Sequence, residues 1–329
     1  MYYSKESMTI DLPSYEQLPV KEGAPKGSAW GLFGDEDQLG CLNLVTPQKV
    51  VAATKLVRKG TVFALNLRLD LPKPALLDRQ SPRHHLLKIG GGIARDDYYD
   101  DFWPQASSQW DGLRHIRHPR DGFYNGVPDD EISLEEGSKL GIEHWAKHGI
   151  VSRGLLLDVE RFLQGQGNPL DPQSSTIIRK KVLAACAERE GVRVEPGDIL
   201  LIRTGWLRWY LEETTPQQRE GIGGTATAGR LAAPGIGPAE EMAEYLWNLH
   251  IAAVASDNPA LEAWPPTAEG GFLHFRLIPH LGMPIGELWY LEDLATDCEK
   301  DGIYEFLLTS APLHAPGGVA SPANALAIK

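Results

Sequence analysis

The chain has 329 residues, with 32 basic against 44 acidic side chains for a formal charge of −12, and 42% apolar against 23% charged residues. That apolar share is ample for a buried core, while the acidic balance argues against a general nucleic-acid binder, which needs a basic footprint on phosphate. Three scattered cysteines (Cys41, Cys186, Cys298) argue against a disulfide framework or a cysteine-built zinc site, and no apolar signal core or bilayer-length run is present, so a cytoplasmic protein is expected.

Residues 1–28 are punctuated by Pro13, Pro19 and Pro25 and read as an arm that packs on the surface or crosses to a neighbouring subunit. The remainder, 29–329, shows no composition break and is read as one domain. A helix is expected from Pro47, with Thr46 as N-cap and Gly60 as the stop. The alternating TVFALNLRLDL that follows (61–71) predicts a strand. Further strands are expected at GLLLDV (154–159) and GDILLIRTGW (197–206), with a helix between them that Gly191 ends. A third helix–strand pair is GPAEEMAEYLWNLHI then AAVASDN, and GIYEFLLTSAPL (302–313) is a last strand. Such alternation predicts an α/β fold around a mixed sheet. The Gly-rich stretch 214–238 is long enough to predict a lid or binding loop.

Chemistry-bearing residues concentrate in three places. SSQWDGLRHIRHPRDGFYNG (107–126) holds Asp111, His115, His118 and Asp121 between Trp110 and Tyr124. Asp111 and His115, four apart, would share one side of a helical turn, and mixed oxygen and nitrogen donors suit Zn²⁺ or Mn²⁺. The plainer alternative is a solvated polar loop whose arginines pair with acids. In LHFRLIPHLGMPIGELWYLEDL (273–294), His274, His280 and Glu287 lie in apolar surroundings, where a carboxylate must be paired, protonated or metal-bound. Asp257 and Asn258 follow a predicted strand, a favoured place for substrate contacts, although an Asp-Asn turn before Pro259 explains them equally. No GxGxxG stands at a strand–helix junction, and GxSxG, GK[ST] and HExxH are absent, which removes the common dinucleotide, nucleophile-elbow, P-loop and zincin readings.

Taken in order, GDEDQLGCLNLVTPQKVVAATKLVRKGTVFAL (34–65), QWDGLRH (109–115), FYNG (123–126), GIVSRGLLLDV (149–159), EPGDILLIRTGW (195–206), ASDNPALE (255–262) and the 273–295 segment resemble the cyclase family. That family includes bacterial kynurenine formamidase, isatin hydrolase and a dienelactone hydrolase. The resemblance implies a mixed sheet curling into a barrel-like core, a metal-dependent hydrolase of small amides or lactones, and a homodimer or homotetramer. The family hallmark HxGTHxDxPxH is altered here. With His115 on its second histidine, the first becomes Asp111, the aspartate becomes Arg117 and the last histidine becomes Asp121.

The ligand set that the resemblance implies is Asp111, His115 and Glu287 around Zn²⁺ or Mn²⁺, with His274 as acid–base group. Trp110, His118, Tyr124, Asp257 and Asn258 are the expected substrate contacts. Because a guanidinium cannot ligate a cation, two alternatives accompany this reading. One is a metal-free enzyme in which Arg117 or Arg114 stabilises an oxyanion and a histidine activates water. The other is a catalytically silent binding protein that keeps the fold.

Overall fold

A nine-stranded mixed sheet carries the fold of the computed structural model, which describes residues 12–135, 138–223, 231–266 and 271–329. Among the described residues the strands are β1 (Val62–Ala64), β2 (Arg83–Ile89), β3 (Ala94–Asp100), β4 (Gln109–Asp111), β5 (Ile150–Asp158), β6 (Ile177–Ile178), β7 (Ile199–Arg203), β8 (Gly235–Ile236), β9 (Ala253–Ser256), β10 (Ile285–Glu287), β11 (Glu305–Ser310), β12 (Ala320–Pro322) and β13 (Ala325–Ile328). The helices are α1 (Pro47–Thr54), α2 (Glu143–His148), α3 (Val159–Gly165), α4 (Lys180–Glu190), α5 (Trp206–Glu212), α6 (Pro216–Ile222), α7 (Glu240–Asn248), α8 (His274–Leu277) and α9 (Glu292–Asp301).

The main sheet runs β1-β13-β11-β5-β7-β9-β10-β4-β12 and curls into a half-barrel flanked by helices. Its centre, β5 to β10, is parallel, and both outer parts are antiparallel. The parallel strands are near-continuous aliphatic runs because both of their faces are covered. Alternation sorts them. Leu155, Leu157, Leu200, Ile202 and Val254 pack with α3, α4, α7 and α8, whereas Leu156, Ile199, Leu201, Ala253 and Ala255 pack with Trp110, Trp145 and Trp289 and with α9.

Local signals explain the helix ends. The Thr46 side chain accepts the Lys49 N–H at 3.1 Å with Pro47 at the first helical position, and Gly191 caps α4 at φ +66°. The first helix nevertheless stops at Thr54, before Gly60. The strand expected over 61–71 pairs only at Val62–Ala64, because the Asn66 side chain then bonds both backbone groups of Ala325 (3.0 and 3.1 Å) and the ladder ends. Within the long loop, α6 and β8 are ordered elements; residues 224–230 lie outside the described residues.

The arm finds its partners within its own chain. Tyr15 and Leu18 are buried, the Tyr15 N–H donates to Asn248 Oδ1 at 2.8 Å, and Trp247 Nε1 donates to the Pro13 carbonyl at 2.9 Å. Of the two expected placements, residues 12–28 take the one on their own chain's surface; residues 1–11 lie outside the described residues. Sequence reading also passed over β2 and β3, which pair only with each other as an exposed ribbon.

Candidate active site

Pairing register builds the site. Strand β10 runs antiparallel to β4 with Glu287 opposite Gln109 and Ile285 opposite Asp111. Directly opposed residues share a face and successive residues alternate, so Gln109, Asp111 and Glu287 project together while Trp110 points the other way. The short helix α8 covers the acid-bearing face and brings His274 onto it.

The His274 imidazole is clamped at both nitrogens. Nδ1 lies 2.7 Å from Glu262 Oε1, and the other Glu262 oxygen accepts the Leu273 backbone N–H. Nε2 stands 3.2 Å from Glu287 Oε1 and 3.8 Å from Asp111 Oδ2, and Phe272 stacks on the ring at 4.5 Å. The Gln109 amide donates to the remaining Glu287 oxygen. Asp111 is fully buried, and neither of its oxygens receives a hydrogen bond from any described residue.

His115 sits on the rim, its side chain 20% exposed and its Nε2 3.7 Å from Asp111 Oδ1. A turn closed by His115 N–H to the Gly112 carbonyl (2.9 Å) places it there, rather than the helical turn expected from the spacing. The Gln105 amide donates to His115 Nδ1 at 3.3 Å. Arg79 braces the same wall through the Gln105 carbonyl (2.6 Å) and Gln109 Oε1 (3.4 Å).

Electrostatics follow from this crowding. Burial and the neighbouring Asp111 charge push the Glu287 carboxyl up to about 7. Burial also opposes ionisation of Asp111, but the His115, His274 and Arg79 charges outweigh it and hold that carboxyl below its ordinary value. For His274, burial disfavours the cation, yet the facing carboxylates of Asp111, Glu262 and Glu287 raise the imidazole well above 6.5. His115 is moved the other way, since burial outweighs the pull of Asp111.

The donor set fits a divalent cation. Ligand atoms of Asp111, His274 and Glu287 all lie within 4.8 Å of one another, and a buried carboxylate without donors is costly unless a cation faces it. Glu262 on the far nitrogen of His274 and Gln109 on Glu287 are the supports that orient metal ligands. The close triad thus contains His274 where the sequence suggested His115, and leaves His115 as the accessible imidazole.

Other expected residues lie elsewhere. Arg117 is exposed and makes no ion pair among the described residues, and Arg114 is bound to the carbonyls of Ser133, Lys139 and Gly317. Trp110 and Tyr124 are core side chains with no exposed surface: the indole donates to Ser310 Oγ at 2.8 Å and the phenol to Asp37 at 3.2 Å. Asp257 accepts from Thr204 N–H, Thr204 O–H and Gly205 N–H, and Asn258 donates to the Pro234 and Leu261 carbonyls. These four hold turns and core together. His118 joins Asp121 and His280 instead.

Sequence reading missed Arg79, Gln105, Gln109, Glu262 and Phe272. A signal existed for Glu262 alone, an acid twelve residues before His274 in an apolar stretch.

The fold and site define a half-barrel α/β protein with a buried carboxylate–imidazole centre. Residues 49–263 match the family model described as "Putative cyclase". A crystal structure described as a novel cyclase is 35% identical, with 92% of this chain and 99% of that chain covered and a TM-score of 0.79. Isatin hydrolase A from Labrenzia aggregata, bound to benzyl benzoate, is 14% identical over 85% of this chain and 97% of its own, with a TM-score of 0.55. Isatin hydrolase A from Ralstonia solanacearum is 16% identical over 87% and 98%, with a TM-score of 0.54. No curated protein matches the sequence. The chain belongs to the cyclase family.

Proposed function

We propose that this chain is a divalent-metal hydrolase, using Zn²⁺ or Mn²⁺, that opens a small amide, lactone or related cyclic C–N or C–O bond. The observation that carries this reading is Asp111: two buried carboxylate oxygens without a donor, converging with Glu287 and His274 Nε2. The likeness of the fold to isatin hydrolases agrees with it. When bound by Asp111, His274 and Glu287, the ion supplies a water of near-neutral pKa and polarises a carbonyl.

The chain's own groups do the rest. Gln105 donating to Nδ1 leaves the proton of neutral His115 on Nε2, the nitrogen facing Asp111. His115 takes a proton from the attacking water and, as the imidazolium so formed, hands one to the leaving nitrogen or oxygen, which returns it to the neutral state. Arg79, the cation whose charge reaches Asp111, His115 and Glu287, offsets negative charge developing on the substrate oxygen. Since the ligand triad is buried and His115 is partly exposed, substrate enters along the His115 edge.

Elemental analysis of purified protein, with turnover of an N-formyl aryl amine and a lactone panel before and after chelation, tests the reading. Turnover that appears as an ion fills the Asp111 cluster and disappears on chelation is expected. Stoichiometric metal that is indifferent to Asp111→Asn would sink it.

A further inference from the structure

We propose that His118, Asp121 and His280 form a second divalent-cation site, separate from the cluster around Asp111. The proposal goes beyond the hydrolase reading and does not depend on it. His118 Nδ1 lies 2.7 Å and His280 Nε2 2.9 Å from the same Asp121 oxygen, and one ligand atom from each residue falls within 4.8 Å of the others. The two rings converge at 4.4 Å between centroids. His118 Nδ1 is buried and, despite that approach, makes no hydrogen bond of proper geometry. Its lone pair is not taken up by any donor among the described residues.

The three side chains are held in place by contacts outside the cluster. His118 and Gly122 exchange backbone hydrogen bonds (2.9 and 3.2 Å) across a tight turn, which fixes His118 and Asp121 on one short loop; Gly122, at φ +92°, is where that turn needs a glycine. The His280 carbonyl accepts the Ala29 N–H at 2.9 Å, and Trp30 Nε1 donates to the Pro279 carbonyl at 2.6 Å. The Trp30 ring meets His280 edge-on, and Phe275 does the same to His118. Arg276, whose charge reaches both histidines, is itself paired with Glu240 at 3.6 Å.

Two imidazoles and one carboxylate, with remaining positions open to water, suit a borderline cation such as Zn²⁺ or Co²⁺. The cluster around Asp111 is richer in oxygen and so favours harder ions. A hydrogen-bond relay, in which both imidazoles donate to Asp121, is the competing account of the same distances.

Titration of the chelator-stripped full chain with Co²⁺, read by visible absorption and by bound metal after dialysis, separates them. The expected result is two equivalents for the wild type, and one each for Asp121→Asn and His280→Gln, while Glu287→Gln keeps the equivalent that those two variants lose. Asp121→Asn is first checked by circular dichroism; if it does not fold, His280→Gln and His118→Gln give the same reading. One wild-type equivalent that survives Asp121→Asn and is lost in Glu287→Gln would overturn the second site. One equivalent lost in Asp121→Asn but kept in Glu287→Gln would uphold it and remove the metal from the hydrolase reading. No bound Co²⁺ at all would overturn both.

Discussion

The β4–β10 wall and the β2–β3 ribbon invert the usual rule of burial in opposite directions. The wall hides Asp111, Glu262 and Glu287 almost completely. The ribbon leaves Leu86 69% and Ile93 92% exposed, with Leu87, Ile89, Tyr98 and Tyr99 also open to solvent. Each arrangement is costly in isolation: buried carboxylates lose hydration, and a two-stranded ribbon is marginal in water. A buried charge calls for a small partner of opposite sign, and an exposed apolar face calls for a large partner of like character. We therefore propose the wall as the place for a cation and the ribbon as the place for a second copy of this chain.

The largest effect is expected at the wall. Asp111→Asn should abolish binding of the ion in this cluster and reduce turnover to background, while the chelated variant melts no lower than chelated wild type, because no buried charge remains without a donor. A variant that keeps this ion, or melts far lower, would show that Asp111 is held by contacts other than a cation. Next come the two histidines. His115→Ala should cost roughly 10²–10⁴ in rate with bound metal unchanged, the range for a positioned acid–base group. His274→Ala should lose the metal itself. Exchanged phenotypes would restore the roles read from sequence, and equal modest losses that track melting temperature would make both histidines structural.

How much of this was legible in sequence depends on the range of the interaction. Helix α1 and the end of α4 were readable because Thr46, Pro47 and Gly191 act within a few residues. The buried runs of β5, β7 and β9 were readable because both of their faces are covered. Asp111, His274 and Glu287 were named, but their grouping rests on the β4–β10 register across 178 positions, which no local pattern encodes. That His274 rather than His115 completes the close triad has the same origin, since the near neighbour in sequence is not the near neighbour in space. An aromatic beside charged residues looks the same in sequence whether it lines a pocket or is packed into the core, as Trp110 and Tyr124 are. The ribbon's strands, RHHLLKI and ARDDYYD, show no period-two alternation and cover no core, so their pattern carried no hint of a strand.

A smaller effect should appear in the stability of the chelated protein against pH. Glu287 titrates near 7 when folded, above the ~4.3 of an unfolded glutamate, so between those values the folded state binds the extra proton. Stability from this group is full below ~4.3 and is lost as pH rises through about 7. His274, raised above 6.5, has the same sign. Chelated wild type should therefore lose on the order of 2 kcal/mol more than chelated Glu287→Gln between pH 5 and 8, by the usual conversion of pKa shift to free energy. Parallel denaturation curves for the two proteins would remove Glu287 from the account. Saturating metal should flatten the wild-type dependence, because the ion takes the place of the proton.

The smallest effect on folding, and the sharpest on assembly, is expected at the ribbon. Its interior contacts are few: His84 stacks on Tyr99 at 4.4 Å and His85 on Tyr98 at 4.6 Å, with His84–Asp97 and Arg83–Asp101 ion pairs at 2.7 and 2.9 Å. Those cross-strand pairs set the register but bury little of Leu86, Leu87, Ile89 or Ile93. With residues 12–28 packed on their own chain, we propose that the homodimer expected from the family resemblance forms through this ribbon, twofold assemblies being the commonest. Replacing Leu86 and Ile93 by Gln should change monomer stability by no more than about 0.5 kcal/mol, since both side chains are exposed in the single chain. The same double change should halve the mass measured by sedimentation at micromolar concentration. A wild type that is already monomeric there, or a variant that stays dimeric, would place the contact elsewhere and leave the ribbon's apolar face without a partner of its own kind.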